Sequence, residues 1–239
     1  MDIHKPKPIH SFREFLSEIA VVVVGISIAL TGEQILERIH EYRVASEARK
    51  QIRSEVATDL AVLRNRVKIE PCIDKRFADV RRILVAAGTP AYVSPNWIGR
   101  PDGWDNQNGR WQAAGQSGRV ALLTSGEQGG FSFIYGPLAQ ILLTEADERQ
   151  QWSHLQALEG VAHPSPALID AARPALRQAM VDDEGIRVRI AQSTMALRGM
   201  GITPVRSPVA LTVNSVCLPV SMLAEEGSKR LENSLRYSK

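Results

Sequence analysis

The stretch Phe12 to Leu36, FREFLSEIAVVVVGISIALTGEQIL, limits what this chain can fold into more than any other. From Ile19 to Leu30 it carries only apolar side chains, Gly25 and the hydroxyl of Ser27. A helix needs about 20 mostly apolar residues to cross a hydrocarbon core, and runs of about 10–14 more often mark a buried helix or a signal-peptide core. The uncharged run Ile19 to Gly32 reaches spanning length by taking in Phe15 and Leu16 with Glu18, or Ile35 and Leu36 with Glu33. Glutamates near the ends reach the headgroups or are neutralised, whereas one at the centre costs several kcal/mol. We therefore expect a transmembrane anchor over residues 12–36, with lipid bilayer as its first partner.

Three other readings compete. A cleavable signal peptide would use Lys5, Lys7 and Arg13 as its basic end and Ser27-Ile28-Ala29 as its cleavage site. Glu14 and Glu18 crowd that arrangement, and the helical pattern runs on past Ala29. The second is a buried helix of a soluble domain. The third, an amphipathic surface helix, conflicts with Val21 to Val24, which are apolar on every side.

Flanking basic residues set the orientation. Lys5, Lys7 and Arg13 precede the anchor, and Arg38, Arg43, Arg49 and Lys50 follow it. Long folded domains cross membranes largely regardless of charge, so the short basic tail is the better guide. Residues 1–11 are expected as an extended cytoplasmic tail, which puts residues 37–239 in the periplasm or outside. Within the anchor, Gly25 and Ala29 form a small-xxx-small pair, and Gly32 lies one heptad beyond Gly25. Such spacing lets membrane helices approach closely, so Gly25, Ala29 and Gly32 are candidate helix–helix contacts.

Beyond the anchor the expected fold class is all-α. Aromatics make up 5% of a chain that is 44% hydrophobic, which favours an aliphatic helical core over a β-sandwich. Ile35, Ile39, Tyr42, Ala45, Ala48, Ile52, Val56, Leu60, Leu63 and Val67 follow each other by steps of three or four. That stripe predicts a long amphipathic helix continuing from the anchor. It could pair with another copy or pack on later helices of an antiparallel bundle. Glu55, Asp59, Arg64 and Arg66 read as part of its solvated face. Glu70-Pro71 is expected to end it. Ile73, Phe77, Val80, Leu84 and Ala87 then mark a shorter helix folding back.

Residues 88–109 form an irregular loop containing Trp97 and Trp104. With Trp111 just beyond it, this is the candidate ligand or partner loop, although the plainer reading is that Trp97 and Trp104 fill gaps in a helical core. Further helices are expected around Arg110 to Leu123, Gly126 to Gln151 with a kink at Pro137, and Pro166 to Leu197, kinked or divided near Arg173-Pro174. Val209 to Val216 could equally form a short strand or an extended segment, and Leu218 to Leu235 a last helix interrupted by Gly227.

The search for chemistry is mostly negative. Glu37-x-x-His40 has the spacing of a di-iron half-site, but His154 and His163 have no glutamate three residues before them. Residues 104–109, WDNQNG, miss the calcium-loop register, because Trp104 falls where the first Asp ligand belongs. No Gly-x-Ser-x-Gly or phosphate loop occurs. No catalytic residue, cofactor or metal is therefore expected. A net charge of +3 without a basic, aromatic-studded stripe argues against nucleic acid. The two cysteines, Cys72 and Cys217, are the only intramolecular pair available in an oxidising compartment. They could equally remain buried thiols.

The entry Phe15-Leu16-Ser17-Glu18-Ile19, the ending Ala29-Leu30, the charged helix after it and the stretch Trp111 to Leu123 together resemble a set of uncharacterised bacterial proteins. The likeness covers the first third of the chain and only patches of the rest. It implies a single-pass inner-membrane protein with a helical domain, and brings no catalytic residues with it.

The expected function is a membrane-anchored helical interaction or accessory protein, acting as a scaffold without catalytic activity. Its partners would be other membrane-protein subunits or further copies of itself. The alternative is a ligand-binding sensory domain near Trp97, Trp104 and Trp111. Met1 to Ser11 is too short for an output module, so that alternative needs a partner chain.

Overall fold

The structure is a computed structural model that describes residues 12–103, 108–203, 205 and 214–236. Its regular elements are all helical. They are α1 (Phe12–Ala86), α2 (Gly109–Gln116), α3 (Ser125–Gln156), α4 (Pro166–Gly199) and α5 (Ala224–Arg236), with 3₁₀ turns at Arg119–Leu122 and Ser215–Cys217. Among the described residues there is no strand. At the described end of the segment expected as a strand or an extended stretch, Asn214 is extended, and Ser215 and Val216 already belong to the 3₁₀ turn; its earlier residues lie outside the described set, as does the tail of residues 1–11.

α1 is one helix of 75 residues, about 112 Å long at 1.5 Å per residue. Every described side chain from Phe12 to Arg43 is exposed, and packing begins at Ala45. The expected stripe therefore divides. Ala45, Ala48, Ile52, Val56, Leu60 and Leu63 enter the core, whereas Ile35, Ile39, Tyr42 and Val67 remain exposed. Among the described residues one helix, near the N-terminus, is long and apolar enough to cross a membrane.

Glu70-Pro71 does not end α1, because Pro71 lies inside it. Proline removes one amide donor and strands the carbonyl four residues back. Pro71 and Val67 both face solvent, so water can take that carbonyl. Ile73, Phe77, Val80 and Leu84 are buried as expected, but on the continuing helix rather than on one folding back. Pro174 likewise lies within α4 on an exposed turn and does not divide it. α3 contains Pro137 and starts from a capping box, in which Thr124 and Glu127 satisfy each other's backbone amides. α4 starts from Ser165 as N-cap with proline in its first turn.

The core has two parts. In the first, Ile52, Val56, Leu60 and Leu63 of α1 meet Phe131, Ile134 and Leu138 of α3 and Ile186, Ile190 and Leu197 of α4. In the second, Ile73, Phe77 and Val80 of α1 meet Trp152 and Leu155 of α3 and Ile169, Ala172 and Ala179 of α4. Phe77 and Trp152 stack with centroids 5.2 Å apart, and Trp152 is fully buried. Each large apolar side chain buried this way contributes about 1.5–3 kcal/mol.

Residues 87–108, outside the helices where described, return along α1 from its end toward Glu55. Gly118, at φ +72, turns the chain between α2 and the 3₁₀ turn that follows. α5 is not interrupted by Gly227: that glycine lies inside the helix, where an added Cβ would come within 2.9 Å of the Trp97 ring.

Candidate functional site

Two regions answer to the candidate residues: the free part of α1, and a fastened end of the domain where Cys72 meets Cys217. Gly25, Ala29 and Gly32 lie on the free helix, and, apart from the helix's own backbone, no described residue comes within 4 Å of a Cβ added at either glycine. Ala29 and Gly32 floor a shallow groove between Ile28, Leu36 and His40. Glu37 and His40 are exposed on the same segment.

At the other end Cys72 and Cys217 form a disulfide that spans 145 residues of sequence. One turn on, the buried Arg76 guanidinium donates to four backbone carbonyls. Trp97 O lies at 2.8 Å and Val216 O at 3.1 Å, with Ile98 O and Leu218 O as the other two. Burial lowers its pKa from the ordinary arginine value. The same segments are tied again by Trp97 Nε1 donating to Ser215 O at 2.9 Å, and by the Asn96 and Trp97 amides donating to Val220 O. Glu159 accepts from the Ile98 and Gly99 amides at 2.6 and 3.1 Å. Gly99 has φ +62, and a Cβ there would sit 2.5 Å from Ser215 O, so only glycine fits. This clasp fixes residues 96–100 and 214–220 to α1.

Between the two core clusters lies an ionic group. Arg66 Nη2 donates to Glu148 Oε1 at 2.7 Å and to Asp183 Oδ1 at 2.6 Å. Burial opposes its charge, but the Glu148 and Asp183 carboxylates outweigh that and hold its pKa above the ordinary value. Trp152 Nε1 donates to Glu148 at 3.2 Å. Arg187 extends the group to Asp183 at 2.7 Å and Asp74 at 2.6 Å. Glu55, Asp59 and Arg66 are thus buried, not part of a solvated face. Glu55 accepts the Tyr135 hydroxyl at 2.6 Å and the Arg110 and Trp111 amides at 2.7 and 3.2 Å, which holds the start of α2. Burial, and after it the hydrogen bond to Glu55, raise the Tyr135 pKa above the ordinary phenol value.

The structure does not bring Trp97 and Trp111 together. Trp111 stacks on Tyr135 at 5.1 Å beside the first cluster, while Trp97 sits in the clasp at the second. Trp104 lies outside the described residues, as do residues 105–107 of the stretch weighed as a calcium loop. Near Trp97 there is a cleft of about 350 Å³, lined by Asp79, Arg82, Ile83, Val93, Ser94 and Val220 among others.

Sequence reasoning missed Arg76, the Arg66–Glu148–Asp183 group and Glu55. A readable signal existed. Arg66 follows Leu63 by three residues, and Arg76 follows Ile73 by three and precedes Val80 by four, so both charges fall on the apolar stripe. Searches against protein-family models, curated proteins and solved structures returned no match.

Proposed function

We propose that this chain is a single-pass membrane protein that holds a disulfide-tied helical domain at a bilayer surface and acts by binding other proteins, without a reaction of its own. The carrying observation is the free end of α1: its most apolar window is wholly unburied within the chain and continues, without a break, into the helix that builds the core. Side chains such as Val21 to Val24, all exposed, need an apolar solvent, and hydrocarbon is one.

We take the N-terminus as cytoplasmic and the domain as periplasmic, in a bacterial inner membrane. The basic tail supports this, and so does a disulfide, which persists in oxidising compartments. The long helices read as a bundle in which α4 runs opposite to α1 and α3. Pairing of Ile52 with Phe131 and Leu197, and of Phe77 with Trp152 and Ile169, supports that arrangement.

The test is fractionation of cells expressing the full chain. The protein is expected in the membrane pellet after an alkaline carbonate wash, released by detergent together with the subunits it binds. Full-length protein in a detergent-free supernatant would refute the reading.

A second reading, ligand binding by the domain, draws on the cleft between Ile83, Val93 and Val220. A thermal shift produced by a small amphipathic molecule, and abolished by Val93→Trp, would favour it.

A further inference from the structure

The free part of α1 carries a seam whose spacing, placement and size point to one occupant, a second copy of this chain. Gly25, Ile28, Gly32, Ile35, Ile39 and Tyr42 follow each other by alternating steps of three and four. That is a strict 3.5-residue period, the repeat that keeps one face turned toward another helix in a left-handed supercoil. Ile35, at the end of the anchor, is 53% exposed, and on the membrane-proximal neck Ile39 is 46% and Tyr42 72% exposed. Apolar side chains this open, on a helix the domain leaves uncovered, mark an interaction surface rather than a solvated face.

The domain leaves room for a partner there. At about 100° per residue, the seam lies roughly 120° around α1 from the face that Ala45, Ala48 and Ile52 turn into the core. The glycines also lack a purpose within one copy. Glycine weakens a helix interior, and among the described residues nothing beyond the helix's own backbone approaches a Cβ added at Gly25 or Gly32. Between two helices the same absence of a side chain permits close approach.

We propose that two copies pair in parallel along this seam, starting between the glycines within the bilayer and ending at Tyr42. The proposal rests on the membrane reading above. Two copies inserted the same way present identical residues at identical depth, so the register is met without further specification. Six positions over about 27 Å of helix bury on the order of 400 Å² per chain, well short of the roughly 800 Å² per partner usual for a stable interface in water. Confinement in a membrane raises the effective concentration and removes part of the orientational cost, so pairing belongs to the anchored chain. Arg38 and Arg43 flank the seam and bring like charge to it. Exposed charges of this kind are screened, and Glu41 and Glu47 follow them at helical spacing within each chain.

Single-cysteine variants of the full chain in native membranes test this, read by a short bifunctional maleimide and non-reducing gels. Cys72 and Cys217 are already paired, which leaves the introduced thiol as the reactive one. Ile35→Cys, Ile39→Cys and Tyr42→Cys are expected to form a band of twice the mass at least about fivefold more than Glu37→Cys and Glu41→Cys, which lie off the seam. Adding Gly32→Ile to Ile39→Cys is expected to cut that band at least about threefold, with membrane pelleting unchanged. Crosslinking equal at all five positions, absent at all five, or unmoved by Gly32→Ile overturns the seam while leaving the anchor intact. Recovery of the variants in a detergent-free supernatant overturns the anchor and the seam together.

Discussion

Arg66 is the residue at which burial and charge compete most directly, with 6% of its surface exposed and two carboxylates on its guanidinium. Removing one member of such a group leaves uncompensated charge in a dry site. Arg66→Met should therefore lower unfolding free energy by about 3–5 kcal/mol in urea titrations, and a loss under about 1 kcal/mol would mean that water already solvates the group. Glu127 offers a pH readout at the other end of the domain. The hydrogen bond from Arg49, helped by the Thr124 cap, holds its carboxyl at about 2 against an ordinary 4.5. A depressed carboxylate pKa gives stability that is full above about pH 4.5 and disappears as pH falls toward about 2. Because the pair is partly exposed, the amount is on the order of 1 kcal/mol. Glu127→Gln should flatten the stability–pH curve across that window, and a slope identical to the parent's would count against the assignment. These sites were only half legible in sequence. The capping box at Thr124 is a local signature, but Arg66 and Arg76 could be placed inside only by treating their position on an apolar stripe as stronger evidence than their charge.

At the scale of elements, the long apolar steps predicted helices correctly, and the prolines misled. A proline costs about 3 kcal/mol in a helix interior, which marks Pro71 as an end and Pro174 as a kink or a division. Here each falls on a solvent-facing turn where the orphaned carbonyl can be hydrated, and packing on the opposite face carries the helix through. Sequence alone cannot show which face of a helix will be wet until the partners of that helix are known. The clasp was less legible still, since its glue is main-chain carbonyls gathered around Arg76, which leave no trace in residue identity. Its covalent part makes a prediction. Closing a loop of this length stabilises by roughly 5 kcal/mol in the chain-entropy account, and native disulfides deliver about 2–5. Cys217→Ser should cost an amount in that range. It should also speed hydrogen exchange at the Asn96 and Trp97 amides, which donate to Val220 O, ahead of amides in the middle of α3. Uniform acceleration across both would show that the clasp and the bundle open as one unit.

For the whole molecule, one helix is exposed over its first part and packed over its second, and the division falls within a few residues. Up to Arg43 every described side chain of α1 is exposed, and from Ala45 the helix supplies one wall of both core clusters. The domain's stability should then be independent of the anchor. A chain beginning at Arg43 keeps Ala45, Ile52, Val56, Leu60 and the Glu55 contact to Tyr135, and so should fold cooperatively in water. Its urea midpoint should match that of the domain in the full-length protein in detergent. A chain beginning at Asn65 loses Ile52, Val56, Leu60 and Leu63, four side chains at 0–1% exposure. At about 2–5 kcal/mol for each large core side chain removed, that exceeds the 5–15 kcal/mol by which ordinary domains are stable or consumes most of it, so this fragment should not give a cooperative transition. If the longer fragment also failed to fold, or unfolded at a distinctly lower midpoint than the full chain, the neck or the bilayer would have to contribute to the domain. The separation between anchor and core at Ala45 would then be wrong.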